Sequence, residues 1–566
     1  MIVTNDKKYT PARTAFGNAY LNASMNFFAT NQALGASATD LGFMVIPRTA
    51  VDMTRTPEAG IETGRRELAS CLLYAGMGFF GLGAAHLVGA LSDIKKFGKE
   101  IHKVTAGSQA VESLGSVWND SLQKHGRDLS VKGTKENVIK SYVETIFDSV
   151  TGLNGEKQVS LSNNPELKKE IIEDFNKLLL NGKTHKIEDK EQKTKLIRKI
   201  IKATGSGEHL TLNVKGQEAL KLSAKDLLDN TYSLGHTFMQ DKVADTFKQT
   251  DNIKNNEFIK SFKKFNFRKM AVGLGAVSAV AVVMQAANRY LTKKKTGSDG
   301  FCVYKDSTGE KPKKDDSLLF KVERGLAAIG MGLFAATTIV SGDKAKDAGK
   351  GLIKDTLNKF KKIPKKLEFN KLMPNINQYK YIYGVTIIGR MLAASDQNEL
   401  RETTTRDILG FTSWLILGDV VAKAIGKHFE KTQGVKLLNY PNKDEKESFN
   451  KLMHSHLKTH EEILYSAENI KIKDNVVNAS KQVQDPAKKA LKYLNRAQIA
   501  GYAASGLVLG IGIPVLNKII TNKLHEKKIT KMQNAPQKTE QDFDQSKFLK
   551  EKSKEKKTFD GFTQKA

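Results

Sequence analysis

Long apolar stretches recur along this chain, and they restrict its fold more than any other feature does. Five run over residues 68–91, 270–291, 325–341, 407–426 and 498–520. A helix that crosses the hydrocarbon core of a bilayer needs about 20 mostly apolar residues, and each stretch approaches or exceeds that length. A sixth, residues 381–394, is shorter and carries Arg390. It suits a tilted span, a re-entrant segment or a buried helix. Residues 14–50 are moderately apolar and are expected to supply one more membrane-associated helix. Elsewhere the chain is polar: only 40% of its 566 residues are hydrophobic, and the mean hydropathy is -0.41. The apolar residues are therefore concentrated rather than spread. This excludes a wholly embedded chain. It predicts a mainly α fold, a polytopic helical membrane bundle with internal duplication plus a small soluble α+β insert.

Small residues recur four apart within the stretches: Gly81, Ala85 and Gly89; Ala328, Gly332 and Ala336; Gly506 and Gly510. In lipid no hydrophobic force draws helices together, so small residues promote association by letting backbones approach. Buried helices of a soluble core tolerate the same residues. Length and basic flanks favour the membrane reading.

Lys+Arg total 91 against 61 Asp+Glu, a net charge of +30. Such an excess suits anionic partners: lipid headgroups, nucleic acid or acidic proteins. Many lysines sit beside apolar stretches, where headgroups would be. Lys95, Lys96 and Lys99 follow the first, Arg65 and Arg66 precede it, and Lys263, Lys264, Arg268 and Lys269 precede the second, which Lys293, Lys294 and Lys295 follow. Both ends are basic, so the positive-inside rule assigns no orientation. Aromatic residues interleave sparsely with the lysines, which makes nucleic acid a poor partner.

A short motif recurs. Glu62-Thr63-Gly64-Arg65-Arg66-Glu67-Leu68 resembles Glu402-Thr403-Thr404-Thr405-Arg406-Asp407-Ile408, 340 residues later, and Gly78 and Gly418 keep that offset. Upstream, Ile46-Pro47-Arg48 matches Ile388-Gly389-Arg390 with two residues deleted. Asn288-Arg289-Tyr290-Leu291-Thr292 echoes Asn517-Lys518-Ile519-Ile520-Thr521 in the same order. Two related halves with a larger insert in the first are the expected plan. Duplicated membrane halves are common in transporters, where the site lies between them, but scaffolds use them too. Glu62, Glu67, Glu402 and Asp407 would favour the positive end of a helix dipole, and Thr63 or Thr403 would cap it. Arg66 and Arg406 would hold lipid phosphate or pair with an acid of the other half. A capped helix with an interfacial charge is the simpler reading.

The division expected is 1–91 for membrane-associated helices of the first half, 92–269 for the α+β insert, 270–295 for a span, 296–428 for the second half, 429–495 for a polar helical insert, 496–523 for a final span and 524–566 for a disordered basic tail. Within the insert, residues 165–183 place Ile171, Ile172, Phe175, Leu178 and Leu179 on one helical face, and 193–204 repeat the pattern. Residues 209–214 and 219–223 alternate as a hairpin, and 158–162 read as a strand.

Recognised chemistry is sparse. Gly76, Gly78 and Gly81 spell G-x-G-x-x-G, but no strand precedes them, so helix packing explains them. Gly182-Lys183-Thr184 lacks the first glycine of a phosphate loop, Lys177 standing there. His456 and His460 have metal-ligand spacing for one helix face, with His454 nearby, but solvated histidines are the commoner outcome. Cys71 and Cys302 have no partner nearby, so neither a disulfide framework nor a thiolate metal site is expected. No metal, cofactor or catalytic residue is assigned, and no enzyme is expected. Arg390 and Asp419 are the better leads, with His86 behind them. Charges in apolar stretches are costly unless paired, and these two lie on neighbouring helices as an expected charge pair. The N-terminus has no signal-peptide core. The expected protein is a multi-pass membrane-embedded structural or interaction protein whose basic loops contact anionic lipid or an acidic protein. A two-repeat transporter or channel is the alternative, and a peripheral nucleic-acid-binding protein the third.

Overall fold

The computed structural model describes residues 22, 24–27, 32–299, 314–340, 360–371, 373–440, 448–465 and 476–533. The fold is mainly helical, with a small antiparallel sheet. It divides into two units, Met1–Val515 and Leu516–Ala566.

The first unit opens with α1 (Gln32–Asp40) and α2 (Ile46–Met53), joined by a π-helical turn, Leu41–Val45. Helix α3 (Pro57–Leu91) follows. Thr56 caps it, its hydroxyl accepting from Ala59 N at 3.0 Å, and Pro57 at the first position forfeits no helical hydrogen bond.

The insert then holds α4 (Ser108–His125), α5 (Thr134–Asp148), β1 (Val150–Asn154), β2 (Lys157–Ser160), α6 (Pro165–Asn181), α7 (Lys190–Thr204), β3 (Leu210–Leu212), β4 (Leu220–Leu222), α8 (Ala224–Phe238) and α9 (Asp241–Lys248). Its sheet has the order β2-β1-β3-β4, every pair antiparallel. Helix α6 buries Ile171, Ile172, Phe175 and Leu179 against a core that includes Trp118, Tyr142, Phe147 and Phe238.

Helix α10 (Glu257–Thr296) returns antiparallel to α3. Arg65 donates to Asn288 and Thr292 at one end, and Phe97 meets Phe258 edge-on at the other. After α11 (Leu318–Val340) and the short α12 (Ile363–Lys366), α13 (Ile376–Ala393) lies antiparallel to α11, with Arg324 donating to Leu392 O and Lys380 to Thr338 O. Helix α14 (Gln397–Thr412) continues through a π-helical turn (Ser413–Leu417) into α15 (Gly418–Gln433). A second polar module follows: β5 (Leu438–Asn439), α16 (Ser448–His454), β6 (His456–Leu457) and α17 (His460–Tyr465). Helix α18 (Val476–Gly506) packs antiparallel to α15 and passes through a third π-helical turn, Leu507–Gly512. Helix α19 (Ile513–Gln533) continues into the second unit. Residues 524–533, expected to be disordered, are helical, and residues 534–566 lie outside the described residues.

Among the described residues three helices are long and apolar enough to cross a membrane: Pro57–Leu91, Glu257–Thr296 and Pro486–Leu524. They contain the stretches at 68–91, 270–291 and 498–520. The other two expected spans differ. Residues 325–340 of the stretch 325–341 lie in α11, whose first two turns carry Lys321, Glu323 and Arg324. The apolar remainder covers only about 24 Å at 1.5 Å per residue, short of the ~30 Å of a bilayer core. Stretch 407–426 is broken by the π turn, and Asp407, Asp419 and Lys423 interrupt it. Stretch 381–394 is a buried helix.

Large apolar side chains face outward on these helices. Leu72 is 64% exposed, Phe79 71%, Val283 65%, Leu326 64%, Ile329 62% and Leu507 63%. On the inner faces, buried charged residues lie beside an apolar core that includes Tyr74, Met77, Met270, Ile382, Tyr383 and Phe411. Outward apolar side chains together with buried charges depart from the usual arrangement of a water-soluble bundle.

Candidate functional site

The buried charges meet at one place. The N-caps of α3 and α14, Thr56 and Asp396, are themselves 340 residues apart. Both helices therefore start before the recurring motif, which falls one to two turns inside each. This corrects the expectation that Thr63 or Thr403 caps its helix. Thr63 instead donates to Asp52 Oδ2 at 2.6 Å.

Placed inside the helices, the motif carboxylates point inward. Glu67 Oε2 accepts from Arg390 Nη2 at 2.8 Å. Its Oε1 lies 3.5 Å from Arg48 Nη1 and 3.5 Å from Arg66 Nη2. Asp407 stands 3.3 Å from Arg390 Nη1, and Arg406 Nε donates to it at 3.1 Å. Ser70 Oγ takes a further bond from Arg390. Arg390 therefore bridges the two copies of the motif, and its match, Arg48, reaches the same Glu67. Around this centre, Arg55 pairs with Glu402 at 2.7 Å and with Asp52 at 3.3 Å. Arg289 pairs with Glu62 at 3.1 Å and with Glu399. All six motif charges are buried, Asp407 completely.

Of the residues singled out in the sequence, Glu62, Arg66, Glu67, Glu402, Arg406, Asp407 and Arg390 converge here. Asp419 does not. It is 54% exposed and pairs with Lys423 one turn along its own helix. Arg390, near the C-terminus of α13, meets Asp407 within α14, whereas Asp419 lies beyond the π turn. Arg55, Asp52, Arg289 and Glu399 were missed. Arg289 lies inside the second echo, next to Asn288, so its recurrence was the available signal.

The cluster holds arginines and carboxylates in mutual contact, and its geometry is that of a lock joining α2, α3, α10, α13 and α14. Burying a charge is costly, and mutual pairing offsets that cost only when every member is held. Arg48 also ties the lock to the third π turn, donating from Nε to Leu509 O at 3.3 Å.

The remaining motifs are packing features. Gly76, Gly78 and Gly81 lie in mid-helix, and Phe369 fills the place of a side chain at Gly81. His456 and His460 do not share a helix face: one is on β6, the other begins α17. His456 stacks on His209 with ring centroids 4.1 Å apart, and His460 bonds Asn495 Oδ1 at 2.7 Å. His86 faces His102. Cys71 is buried and free, and Cys302 lies outside the described residues. Among the described residues no cluster of three or more His, Cys, Asp or Glu could hold a metal.

A second polar contact joins the insert to the β5–α17 module. Glu462, fully buried, accepts from Ser206 Oγ at 2.8 Å, Gly207 N at 2.8 Å, Glu208 N at 3.2 Å and Thr459 N at 2.9 Å. Asn439 accepts from Gly155 N at 2.9 Å. Burial, and then the negative Glu462 and Asp226, push the Glu208 carboxyl up to about 7. The folded value lies above the unfolded one, so the folded state holds the proton more tightly, and stability is lost as pH rises through about 7. Glu208→Gln is expected to stabilise the protein by about 1–3 kcal/mol at pH 8 and to change little at pH 4.5. Thermal melts at the two pH values check this; an equal effect at both would contradict it.

No family model matches this chain, and neither a curated protein nor a solved structure does.

Proposed function

We propose that the protein is a multi-pass membrane protein with a structural or interaction role. Two related helical halves are locked by the ionic cluster and carry polar modules whose basic surroundings contact anionic lipid or an acidic partner. The observation that carries this reading is an apolar outer surface around a buried ionic cluster. Large apolar side chains face outward while arginines and carboxylates are buried and paired. A hydrocarbon environment favours that arrangement, because an unpaired charge is most costly there. The duplication is supported by the shared offset of the N-caps, by the meeting of Arg48 and Arg390 on Glu67, and by two antiparallel helix pairs, α3 with α10 and α15 with α18. Each pair encloses a polar module, and the modules contact one another.

Spin labels on Leu72→Cys, Val283→Cys and Ile329→Cys test the reading. Collisions with oxygen are expected to exceed those with a water-soluble nickel chelate at all three positions. The opposite order would mean that these faces meet water.

One observation favours a second reading, a two-repeat transporter. The π-helical turn Leu507–Gly512, whose Leu509 O accepts from Arg48, touches both of the other two, Leu41–Val45 and Ser413–Leu417, and such turns are frequent at functional sites. Proton or chloride flux in proteoliposomes, abolished by Asp407→Asn, would establish it. The structural reading expects flux no greater than that of protein-free liposomes.

A further inference from the structure

Sequence alone puts cations at both ends of the apolar helices; the fold sorts those ends into two groups. The end of α3, the start of α10, the end of α11 and the start of α13 lie together beside the insert. Contacts define this end: Lys96 with Glu257, Lys366 Nζ with Ile339 O at 3.1 Å, and Ser108 N with Glu368 at 2.7 Å. At the opposite end α3 begins, α10 finishes, α11 begins and α13 meets α14.

The two ends differ in uncompensated charge. On the insert side Lys95, Lys99, Lys264, Arg268, Lys361 and Lys365 are exposed and have no ion pair among the described residues. Phe267, 53% exposed, stands between Lys264 and Arg268. An aromatic ring flanked by cations is the composition of a headgroup-level anchor. At the opposite end most cations among the described residues are neutralised. Arg55, Arg66, Arg289, Arg390 and Arg406 belong to the buried cluster, Lys293 pairs with Asp299, and Lys314 pairs with Asp316. Lys294, Lys295 and Lys321 are exposed there with no ion pair among the described residues, but that end also carries the carboxylates Glu58, Asp315 and Glu323, likewise outside any ion pair, against Asp93 alone on the surface beside the collar's six cations.

We propose that the insert-side collar binds acidic phospholipid headgroups, so that the insert faces the anionic, cytoplasmic leaflet. The proposal rests on the membrane reading above and names its lipid class and its sidedness. Lys or Arg near an anionic surface strengthens association about fivefold per residue, and basic flanks are retained on the cytoplasmic side. The collar's cations meet both conditions, whereas most of those described at the opposite end are held in ion pairs within the protein.

The full chain, purified in a neutral detergent and offered phosphatidylglycerol and phosphatidylcholine, is read by native mass spectrometry. Phosphatidylglycerol is expected to be retained about tenfold or more over phosphatidylcholine. The variant K264Q/R268Q/K361Q/K365Q is expected to lose that preference, and K293Q/K294Q/K295Q to keep it. No preference in the natural protein, or equal losses in the two variants, would overturn the collar. Sidedness is read with a membrane-impermeant maleimide on Val131→Cys, an exposed insert position, in a Cys302→Ser background. Labelling is expected in inside-out vesicles and not in right-side-out vesicles; the reverse pattern would overturn the orientation. Thermal melts of each variant establish that it is folded. Release of the natural chain by alkaline carbonate would defeat the membrane reading itself, whatever lipid the protein prefers.

Discussion

Glu67→Gln is expected to destabilise the protein by about 3–5 kcal/mol, the cost of breaking a buried ion pair by removing one partner. The size follows from geometry. Glu67 faces Arg390 at 2.8 Å and both Arg48 and Arg66 at 3.5 Å. Removing its charge leaves three guanidinium groups around a neutral amide, with Asp407 alone to balance Arg390. Because the cluster is buried, added salt should recover little of the loss. Asp419→Asn, at an exposed pair within one helix, is expected to cost about 1 kcal/mol or less. The double variant Glu67→Gln/Arg390→Met separates a lock from independent contacts. Its loss should fall short of the sum of the single losses by about 0.5–3 kcal/mol. Thermal or denaturant unfolding in detergent measures the natural protein, Glu67→Gln, Arg390→Met, the double variant and Asp419→Asn. Additivity, or an Asp419 effect as large as that of Glu67, would refute the lock.

Gly501→Leu carries the next largest expected effect, a loss of about 3 kcal/mol or more. A Cβ on Gly501 would lie 2.8 Å from Ala422 Cβ and overlap the backbone carbonyl of Gly418. Reciprocally, a Cβ on Gly418 would lie 3.2 Å from Gly501 O. Two glycines thus let α15 and α18 touch backbone to backbone, and the obstacle is not a side chain that could swing aside. Gly83 is the control. Nothing lies within 4 Å of a Cβ there, so Gly83→Leu should be tolerated and could gain up to ~1 kcal/mol from helix propensity. The comparison is again a pair of melts. Equal tolerance at both positions would mean that the α15–α18 crossing is not the close approach described.

The sequence disclosed the charges of the site better than their partners. The motif was legible because Arg and Glu at the edge of an apolar stretch are conspicuous, and because the second copy repeats the spacing. Arg48 and Arg390 were legible as matching positions, and they meet on one carboxylate. The pairing of Arg390 with Asp419 failed for a geometric reason. Adjacency of two helices in sequence does not set their register, and the π turn at Ser413–Leu417 separates Asp419 from the level of Asp407. Helix starts were misjudged by about two turns because Thr63 resembles a cap, whereas Thr56 and Asp396 do the capping. In the insert, alternation exposed β3 and β4 and part of β2. Strand β1 escaped because Val150-Thr151-Gly152-Leu153-Asn154 carries Gly and Asn, which read as a turn. Gly152 is accommodated there because a side chain would strike Thr204. The histidines at 456 and 460 shared a helical spacing, but the chain is a strand at one and a helix at the other.

Partitioning from membranes is the most direct test of the proposed membrane-embedded bundle. Membranes bearing the full protein, washed with high salt and then with alkaline carbonate, should retain it in the pellet, and detergent alone should release it. Peripheral proteins held by charge leave under those washes, whereas helices whose outward faces are Leu72, Phe79, Val283 and Ile329 would have to expose them to water. Recovery of the intact chain in the carbonate supernatant, without detergent, would contradict the membrane-embedded bundle.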